Sequence, residues 1–185
     1  MRLFTAIELD ERVKDDLIRL QESLGRYGRV VRWVTREQMH LTLVFLGEVA
    51  DGRVAQVAEA VQRAAGRVEP FDLTVAGSGC FPPRGRVRVV WVGVEERSGW
   101  LLRCQAACAE ELASVGFPEE SRPYSPHLTL GRIRDDTTNG ALRNDVDRLD
   151  VEQVDQHVES VRLIQSVLTP RGAQYSTVAE CPLKA

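Results

Sequence analysis

The tetrapeptide His-Leu-Thr-Leu occurs twice in this chain, at positions 40–43 and 127–130, although the chain contains only three histidines among its 185 residues. We estimate the chance of two histidines sharing the same three following residues at on the order of one in several hundred, so accident is a poor explanation. Successive side chains of a strand alternate, so the histidine and threonine of each copy share one face while the leucines anchor the other in the core. Each copy therefore presents an imidazole and a hydroxyl together.

The two copies lie 87 residues apart, which is close to half the length of the chain. This spacing suits two related lobes that face each other across a cleft, with both histidines inside it. Two imidazoles and two hydroxyls would then converge on one substrate.

The rest of the sequence predicts alternating strands and helices. Strands are predicted near residues 2–9, 30–34, 40–46, 71–75, 87–94, 127–133, 151–158, 161–169 and 175–179. Helices are predicted from Asp10 to Gly25, from Asp51 to about Gly66, at 98–115 and at 140–149. A Gly/Pro-rich stretch at 77–83 predicts a turn between two antiparallel strands.

Because many strands follow one another at hairpin distances, the pattern favours an α+β fold over a doubly wound parallel sheet. We expect two pseudo-symmetric lobes, each a mainly antiparallel sheet with helices packed outside, and an active-site cleft between them. Hydrophobic residues make up 43% of the chain, enough for an ordinary core in a single two-lobed domain spanning residues 1–185.

Charge and composition narrow the possible partners. A net charge of −3 argues that any contact with RNA is local. No stretch approaches the roughly 18 apolar residues of a membrane span, and the start is too soon acidic for a signal peptide, so we predict a cytoplasmic protein without membrane partners. The cysteines lack zinc-site spacing, and Cys104 and Cys108 are predicted to share a buried helix face.

Paired histidines and hydroxyls suit phosphoryl chemistry. Hydrolysis of a phosphodiester needs a base for water, an acid for the departing oxygen, and donors for the negative oxygens. Histidine can fill both proton roles because its ordinary pKa is about 6.5. These groups require no metal or cofactor. The alternative is that both motifs are buried strands whose polar side chains are satisfied by neighbours, which a single copy would favour.

The sequence resembles the 2H phosphoesterases, a family defined by two His-x-Thr/Ser-x motifs. It is most similar to their bacterial and archaeal RNA 2′,3′-cyclic phosphodiesterase branch, historically called 2′-5′ RNA ligase. The likeness covers positions 2–7, Trp33, 40–47, 88–93, 124–132 and 163–175. It implies that His40 and His127 are catalytic, that Thr42 and Thr129 hydrogen-bond the phosphate, and that Arg132 contacts it.

The resemblance implies hydrolysis of RNA 2′,3′-cyclic phosphate ends to 2′-phosphomonoesters by a monomer. We assign His40 as proton donor and His127 as proton acceptor, although the sequence does not distinguish these roles. The same site could run in reverse and join RNA ends through a 2′-5′ linkage. Two alternatives stay open: a cyclic phosphodiesterase acting on small nucleotides such as ADP-ribose cyclic phosphate, and a non-catalytic module that binds RNA ends.

The orientation of three side chains bears on substrate binding. Strict alternation places Arg132 on the leucine face, away from the cleft, unless Gly131 permits a bulge or the strand ends there. The same alternation predicts that Phe45 lies in the core, whereas Tyr124 could stack on a base.

Two other features carry less weight. Arg84, Arg86 and Arg88 form either a basic patch for the RNA backbone or a solvated face. His157 lacks a threonine two residues later, so we predict a surface or packing histidine outside the mechanism.

Overall fold

The computed structural model describes residues 1–170 and 172–184, and this part of the chain forms nine strands and four α-helices. The strands are β1 (Arg2–Glu8), β2 (Val31–Trp33), β3 (His40–Glu48), β4 (Phe71–Phe81), β5 (Val89–Glu95), β6 (His127–Ile133), β7 (Val154–Val158), β8 (Ser160–Thr169) and β9 (Gly172–Pro182). The helices are α1 (Glu11–Ser23), α2 (Val54–Ala65), α3 (Trp100–Ser114) and α4 (Ala141–Val146).

The strands form two antiparallel sheets. The first sheet has the order β3-β1-β8-β9, and the second has the order β2-β6-β5-β4-β7. Each sheet carries one copy of the repeated motif, on β3 and on β6. The predicted α+β class with two pseudo-symmetric lobes is confirmed. The two halves of the chain are interleaved, because each sheet takes strands from both.

The helices cover the outer faces of the sheets. Helices α2 and α3 pack against each other; α2 contacts β8 and β9, α3 contacts β3, and α4 packs against β4. The motif leucines are buried as predicted, since Leu41 and Leu130 are 0% exposed, Leu128 is 1% exposed and Leu43 is 4% exposed. The leucine face of each motif therefore joins the core and leaves the opposite face free for the cleft.

The turn predicted at 77–83 is wrong, because β4 continues through the glycines to Phe81. Gly77 has a φ of +70° beside a register irregularity, so this glycine marks a bulge within the strand. A Cβ on Gly79 would lie 2.3 Å from the Trp91 ring, which shows why no side chain fits there. Glycine in a strand here reflects a bulge and a close approach.

Both motif strands carry a β-bulge at the same place. On β3, Thr42 pairs with Ala6 and Val44 pairs with Thr5, so the intervening Leu43 has no partner on β1. The Val44 amide donates to the Thr5 hydroxyl at 3.1 Å, which satisfies a group that the irregular ladder displaces.

The second bulge lies in the second copy of the motif, on β6. On β6, Thr129 pairs with Trp91 and Gly131 pairs with Val90, so Leu130 has no partner on β5. The Leu130 carbonyl accepts hydrogen bonds from the Val34 amide at 3.0 Å and from the Gln21 side chain at 2.9 Å. A buried glutamine of α1 thus supports the backbone at the bulge.

The bulges reverse the alternation of side chains beyond each motif. Arg132 is consequently exposed and lines the cleft, which resolves its placement in favour of the bulge. Phe45 occupies the equivalent position on β3; it is 43% exposed and also lines the cleft. The prediction that Phe45 lies in the core is therefore wrong, because it assumed strict alternation through Leu43.

Gly131 lies under the side chains of β2, and its replacement tests this close approach. A Cβ at this position would lie 2.4 Å from Val31 Cγ1 and 2.8 Å from the Trp33 ring. We expect Gly131→Ala to lower the free energy of unfolding by about 1–3 kcal/mol, the usual cost of overpacking, as measured by urea denaturation. Gly52→Ala is the matched control, because a Cβ there meets nothing within 4 Å. Equal stability of the two variants would contradict the close approach.

Candidate active site

A cleft of about 1570 Å³ runs between the two sheets. Strands β3 and β6 come into contact along it, so the two motifs face each other. Its walls bring together all the site residues predicted from the sequence, which are His40, Thr42, His127, Thr129 and Arg132. Interleaving of the chain halves therefore places two distant motifs at one site.

His40 opens β3 and is held on three sides. Its ring hydrogen-bonds the backbone of Gln38, two residues earlier. The ring centroid lies 4.7 Å from that of Phe4 and 5.3 Å from that of Tyr175, the latter edge-on. These aromatic contacts fix the ring orientation and remove much of its hydration.

His127 opens β6 in a matching arrangement. Its Nδ1 lies 2.8 Å from the carbonyl oxygen of Ser125, again two residues earlier. A carbonyl can only accept, so Nδ1 carries the hydrogen and the neutral ring keeps its lone pair on Nε2. The Phe81 ring packs edge-on at a centroid distance of 5.0 Å. This tautomer lets Nε2 accept a proton when neutral and donate one when charged.

Burial lowers the pKa of His40 to about 4. The hydrogen bond to Gln38 and the charge of Glu8 oppose this shift, whereas the positive charge of Arg132 adds to it. Arg132 on one sheet therefore acts electrostatically on His40 of the other. In the free protein at neutral pH, His40 is neutral.

The two threonines lie two residues beyond their histidines and are partly exposed to the cleft. Their hydroxyls can donate to an anion placed between the histidines. Tyr124 donates its hydroxyl to the Thr42 carbonyl at 2.9 Å and so ties the segment before β6 to β3. Its ring lines the cleft, so Tyr124 holds β3 in place whether or not it also contacts a base.

Sequence reasoning missed the aromatic residues that pack on the histidines, Phe4, Tyr175 and Phe81. For Phe4 the sequence offered one indication, because alternation along β1 puts it on the same face as the small Ala6. Nothing in the sequence indicated that β1 and β9 would flank His40. These contacts depend on strand order.

The residues predicted to lie outside the mechanism are found where the sequence predicts them. His157 is exposed on β7, with Nδ1 2.6 Å from Asp72 Oδ1. Cys104 and Cys108 are free and 0% exposed on α3, as predicted. Within residues 1–170 and 172–184, no group of three or more His, Cys, Asp and Glu side chains is placed to hold a metal ion. None of the helices described is long and apolar enough to cross a membrane.

A family model described as LigT like Phosphoesterase matches residues 7–91 and again residues 92–175. The chain belongs to the LigT-like phosphoesterase family. The double match agrees with the repeated motif and with the two related halves, and it confirms the resemblance seen in the sequence. In this LigT-like chain each match contains one His-Leu-Thr-Leu copy.

Curated relatives of this LigT-like chain cover nearly its whole length. An RNA 2′,3′-cyclic phosphodiesterase of Methanothermobacter thermautotrophicus is 34% identical over 177 residues, covering 95% of each chain. One of the same name from Aeropyrum pernix is 38% identical over 165 residues, covering 89% of this chain and 93% of the relative.

Solved structures share the fold of this LigT-like chain. A Thermus thermophilus protein matches with a TM-score of 0.83 and 28% identity, over 99% of this chain and 98% of the other. E. coli LigT complexed with 3′-AMP matches with a TM-score of 0.77 and 25% identity, over 100% and 98% of the two chains. Both matches span the two sheets of this chain.

Proposed function

We propose that this chain is a metal-independent phosphodiesterase that hydrolyses the 2′,3′-cyclic phosphate at RNA ends and leaves a 2′-phosphomonoester. The observation that carries the proposal is the meeting of His40 and His127 in one cleft, each ring held by the backbone two residues earlier. Relatives named RNA 2′,3′-cyclic phosphodiesterase, at 34% and 38% identity over most of the chain, support this reaction.

The reaction needs two proton transfers. Nε2 of His127 takes a proton from water as the water oxygen attacks phosphorus in line with the 3′-oxygen. The bond between phosphorus and the 3′-oxygen breaks, and His40 gives a proton to that oxygen. The products are a 3′-hydroxyl and a 2′-phosphate, and solvent returns the two histidines to their starting states.

The phosphate itself prepares His40 to act as a donor. In the free protein the low pKa of His40 keeps its ring neutral, which by itself suits an acceptor. A bound phosphate anion places negative charge beside the ring and pairs with Arg132, and both effects raise the pKa of His40. Thr42, Thr129 and Arg132 hold the phosphate oxygens, where their donors stabilise the charge of the transition state.

The low pKa of His40 predicts an unusual acid limb in the pH profile. Activity requires one proton on the histidine pair and is lost when a second proton adds, whichever histidine is the donor. Because burial holds the pKa of His40 near 4, we expect kcat/KM to persist down to about pH 5 and to reach half its plateau near pH 4. Initial rates between pH 3.5 and 8, with circular dichroism to check folding, measure this. An acid limb near pH 6.5 would contradict the desolvated environment of His40.

Other activities of this site can be distinguished from hydrolysis of RNA ends. Reverse joining of RNA ends is a minor reaction of the same site in water. A small-nucleotide enzyme would turn over ADP-ribose cyclic phosphate better than an RNA oligomer, and a binding module would hold the RNA and leave its end intact. Monomeric state and cytoplasmic location stay predictions from the sequence.

The test uses a short RNA ending in a 2′,3′-cyclic phosphate, incubated with the purified protein in the presence of EDTA. We expect complete conversion to a 2′-phosphate, identified by its resistance to a 3′-specific phosphatase and by mass spectrometry. Loss of turnover in EDTA, restored by a divalent ion, would refute the metal-independent mechanism. A 3′-phosphate product would assign the leaving group to the 2′-oxygen instead.

A further inference from the structure

We propose that Arg32 and Arg88, which flank Arg132, form a binding strip for the RNA phosphate upstream of the reacting end. This inference rests on the proposed function and names the substrate class, a polynucleotide in place of a mononucleotide. It also gives the bound RNA a direction, because the nucleotides upstream of the reacting end leave the cleft across these arginines.

The sheet register brings the three arginines close together, with Arg32 and Arg132 paired on neighbouring strands and Arg88 immediately before β5. Arg32 on β2 pairs with Arg132 on β6, and Arg132 pairs with Val89 on β5, next to Arg88. Neighbouring strands lie about 4.8 Å apart, so the three backbones form a row about 10 Å wide. All three arginines are exposed and line the cleft, so their guanidinium groups can follow a phosphate backbone.

The outer two arginines are held at the cleft wall. A Cβ on Gly172 would lie 2.9 Å from an Arg32 guanidinium nitrogen, so Arg32 reaches the β8–β9 hairpin of the other sheet. The Gln38 side chain holds the connection between β2 and β3 against β9 by donating to the Ala173 carbonyl at 2.6 Å. Arg88 donates to the Arg134 carbonyl, a contact that orients the guanidinium without neutralising its charge. Partial ordering lowers the entropy cost of binding phosphate.

Positive charge is concentrated on one part of the cleft wall. The three arginines lie where β6 finishes, whereas the acidic lining residues Glu110, Glu119 and Glu120 belong to α3 and to the segment before β6, and Glu110 is paired with Arg67. A polyanion is therefore attracted to the arginine strip. Because the whole chain has a net charge of −3, this local strip supplies the RNA contact that the overall charge does not.

The size of the cleft also exceeds the needs of a mononucleotide. Its volume of about 1570 Å³ is larger than the 300–1,000 Å³, roughly, of ordinary small-molecule pockets. Arg132 is proposed to hold the reacting phosphate, so Arg32 and Arg88, each about one strand spacing to either side of it, lie within side-chain reach of the next phosphate.

Three cyclic-phosphate substrates test the strip directly. The first is a mononucleoside 2′,3′-cyclic phosphate, and the second is a dinucleotide with the same end and one internucleotide phosphate. The third replaces that phosphate with a neutral methylphosphonate, with the upstream 2′-hydroxyl methylated in both dinucleotides. We expect Arg32→Ala and Arg88→Ala each to lower kcat/KM on the charged dinucleotide by about tenfold, and on the other two substrates by at most about twofold.

Salt dependence and a matched variant complete the test. Each substitution should lower the slope of log affinity against log salt by about 0.7 for an RNA oligomer. Arg19→Ala removes the same charge from the outer surface of α1, where Arg19 pairs with Asp16, and should leave all rates unchanged. Equal losses of kcat/KM on the charged and neutral dinucleotides, or a salt slope equal to that of the wild-type protein, would show that the arginines do not bind the upstream phosphate.

A binding measurement separates failure of the strip from failure of the proposed function. Fluorescence anisotropy on His127→Ala protein reports binding of the same dinucleotides without turnover. If the wild-type protein hydrolyses none of the substrates but Arg32→Ala weakens binding of the charged dinucleotide alone, the proposed function fails and the strip stands. If hydrolysis proceeds and both variants bind as the parent does, the strip fails and the proposed function stands.

Discussion

Replacing His40 or His127 with alanine is expected to lower kcat/KM on a cyclic-phosphate RNA by about 10²–10⁴-fold each. Each substitution removes one of the two proton transfers, and the partner histidine cannot perform both in one step. Because the two rings act as a unit, the double variant should lose little more than the worse single variant. Single-turnover rates at saturating protein measure the chemical step without substrate affinity.

His157→Ala is the matched control, since this histidine is exposed on β7 and bonds Asp72 outside the cleft. Thermal unfolding of every variant shows whether a loss of rate reflects a loss of fold. Retention of more than about a tenth of the rate in either catalytic variant would show that the paired mechanism is wrong.

The two proton roles separate with a substrate whose 3′-bridging oxygen is replaced by sulfur. A thiolate leaves without prior protonation, because the pKa of a thiol, about 8.5 for cysteine, is far below that of an alcohol. The loss in His40→Ala should then shrink, whereas the loss in His127→Ala should persist. If the loss shrinks in His127→Ala instead, His127 is the donor and His40 is the acceptor. That assignment would agree with the neutral state of His40 in the free protein.

Arg132→Ala is expected to lower kcat by about 10²–10³-fold, the usual effect of removing one preorganised donor from a transition-state anion. The bulge at Leu130 turns Arg132 into the cleft, where its charge already acts on His40 of the other sheet. Arg132→Lys should recover part of the rate, because lysine keeps the charge but loses the planar pair of donors. Rapid-quench kinetics with the cyclic-phosphate RNA measure kcat directly.

The pH profile of Arg132→Ala should also change. Arg132 lowers the pKa of His40, so the acid limb of the kcat/KM profile should move to higher pH in this variant. Arg19→Ala again provides the charge-matched control. An unchanged limb together with an unchanged kcat would place Arg132 outside the site.

Much of the fold was predictable because local patterns dominate it. The alternation in β1, β3 and β6 and the helical spacing of α1 to α3 agree with the predicted elements within a few residues. The glycine stretch at 77–83 failed because glycine signals a turn and a close approach equally well. The pairing of Trp91 with Gly79 distinguishes the two, and it joins residues on different strands.

The sequence alone determined which groups the proposed chemistry uses. Two copies of His-Leu-Thr-Leu supply the side chains that we propose to react, because imidazole groups can transfer protons and hydroxyl groups can bind an anion. Tertiary structure decided where those groups point and what charge they bear. The bulges at Leu43 and Leu130 arise from pairing with β1 and β5, and they alone bring Phe45 and Arg132 into the cleft. The pKa of His40 falls because Phe4 and Tyr175, from distant segments, exclude water from its ring, and such desolvation depends on contacts that no local pattern encodes.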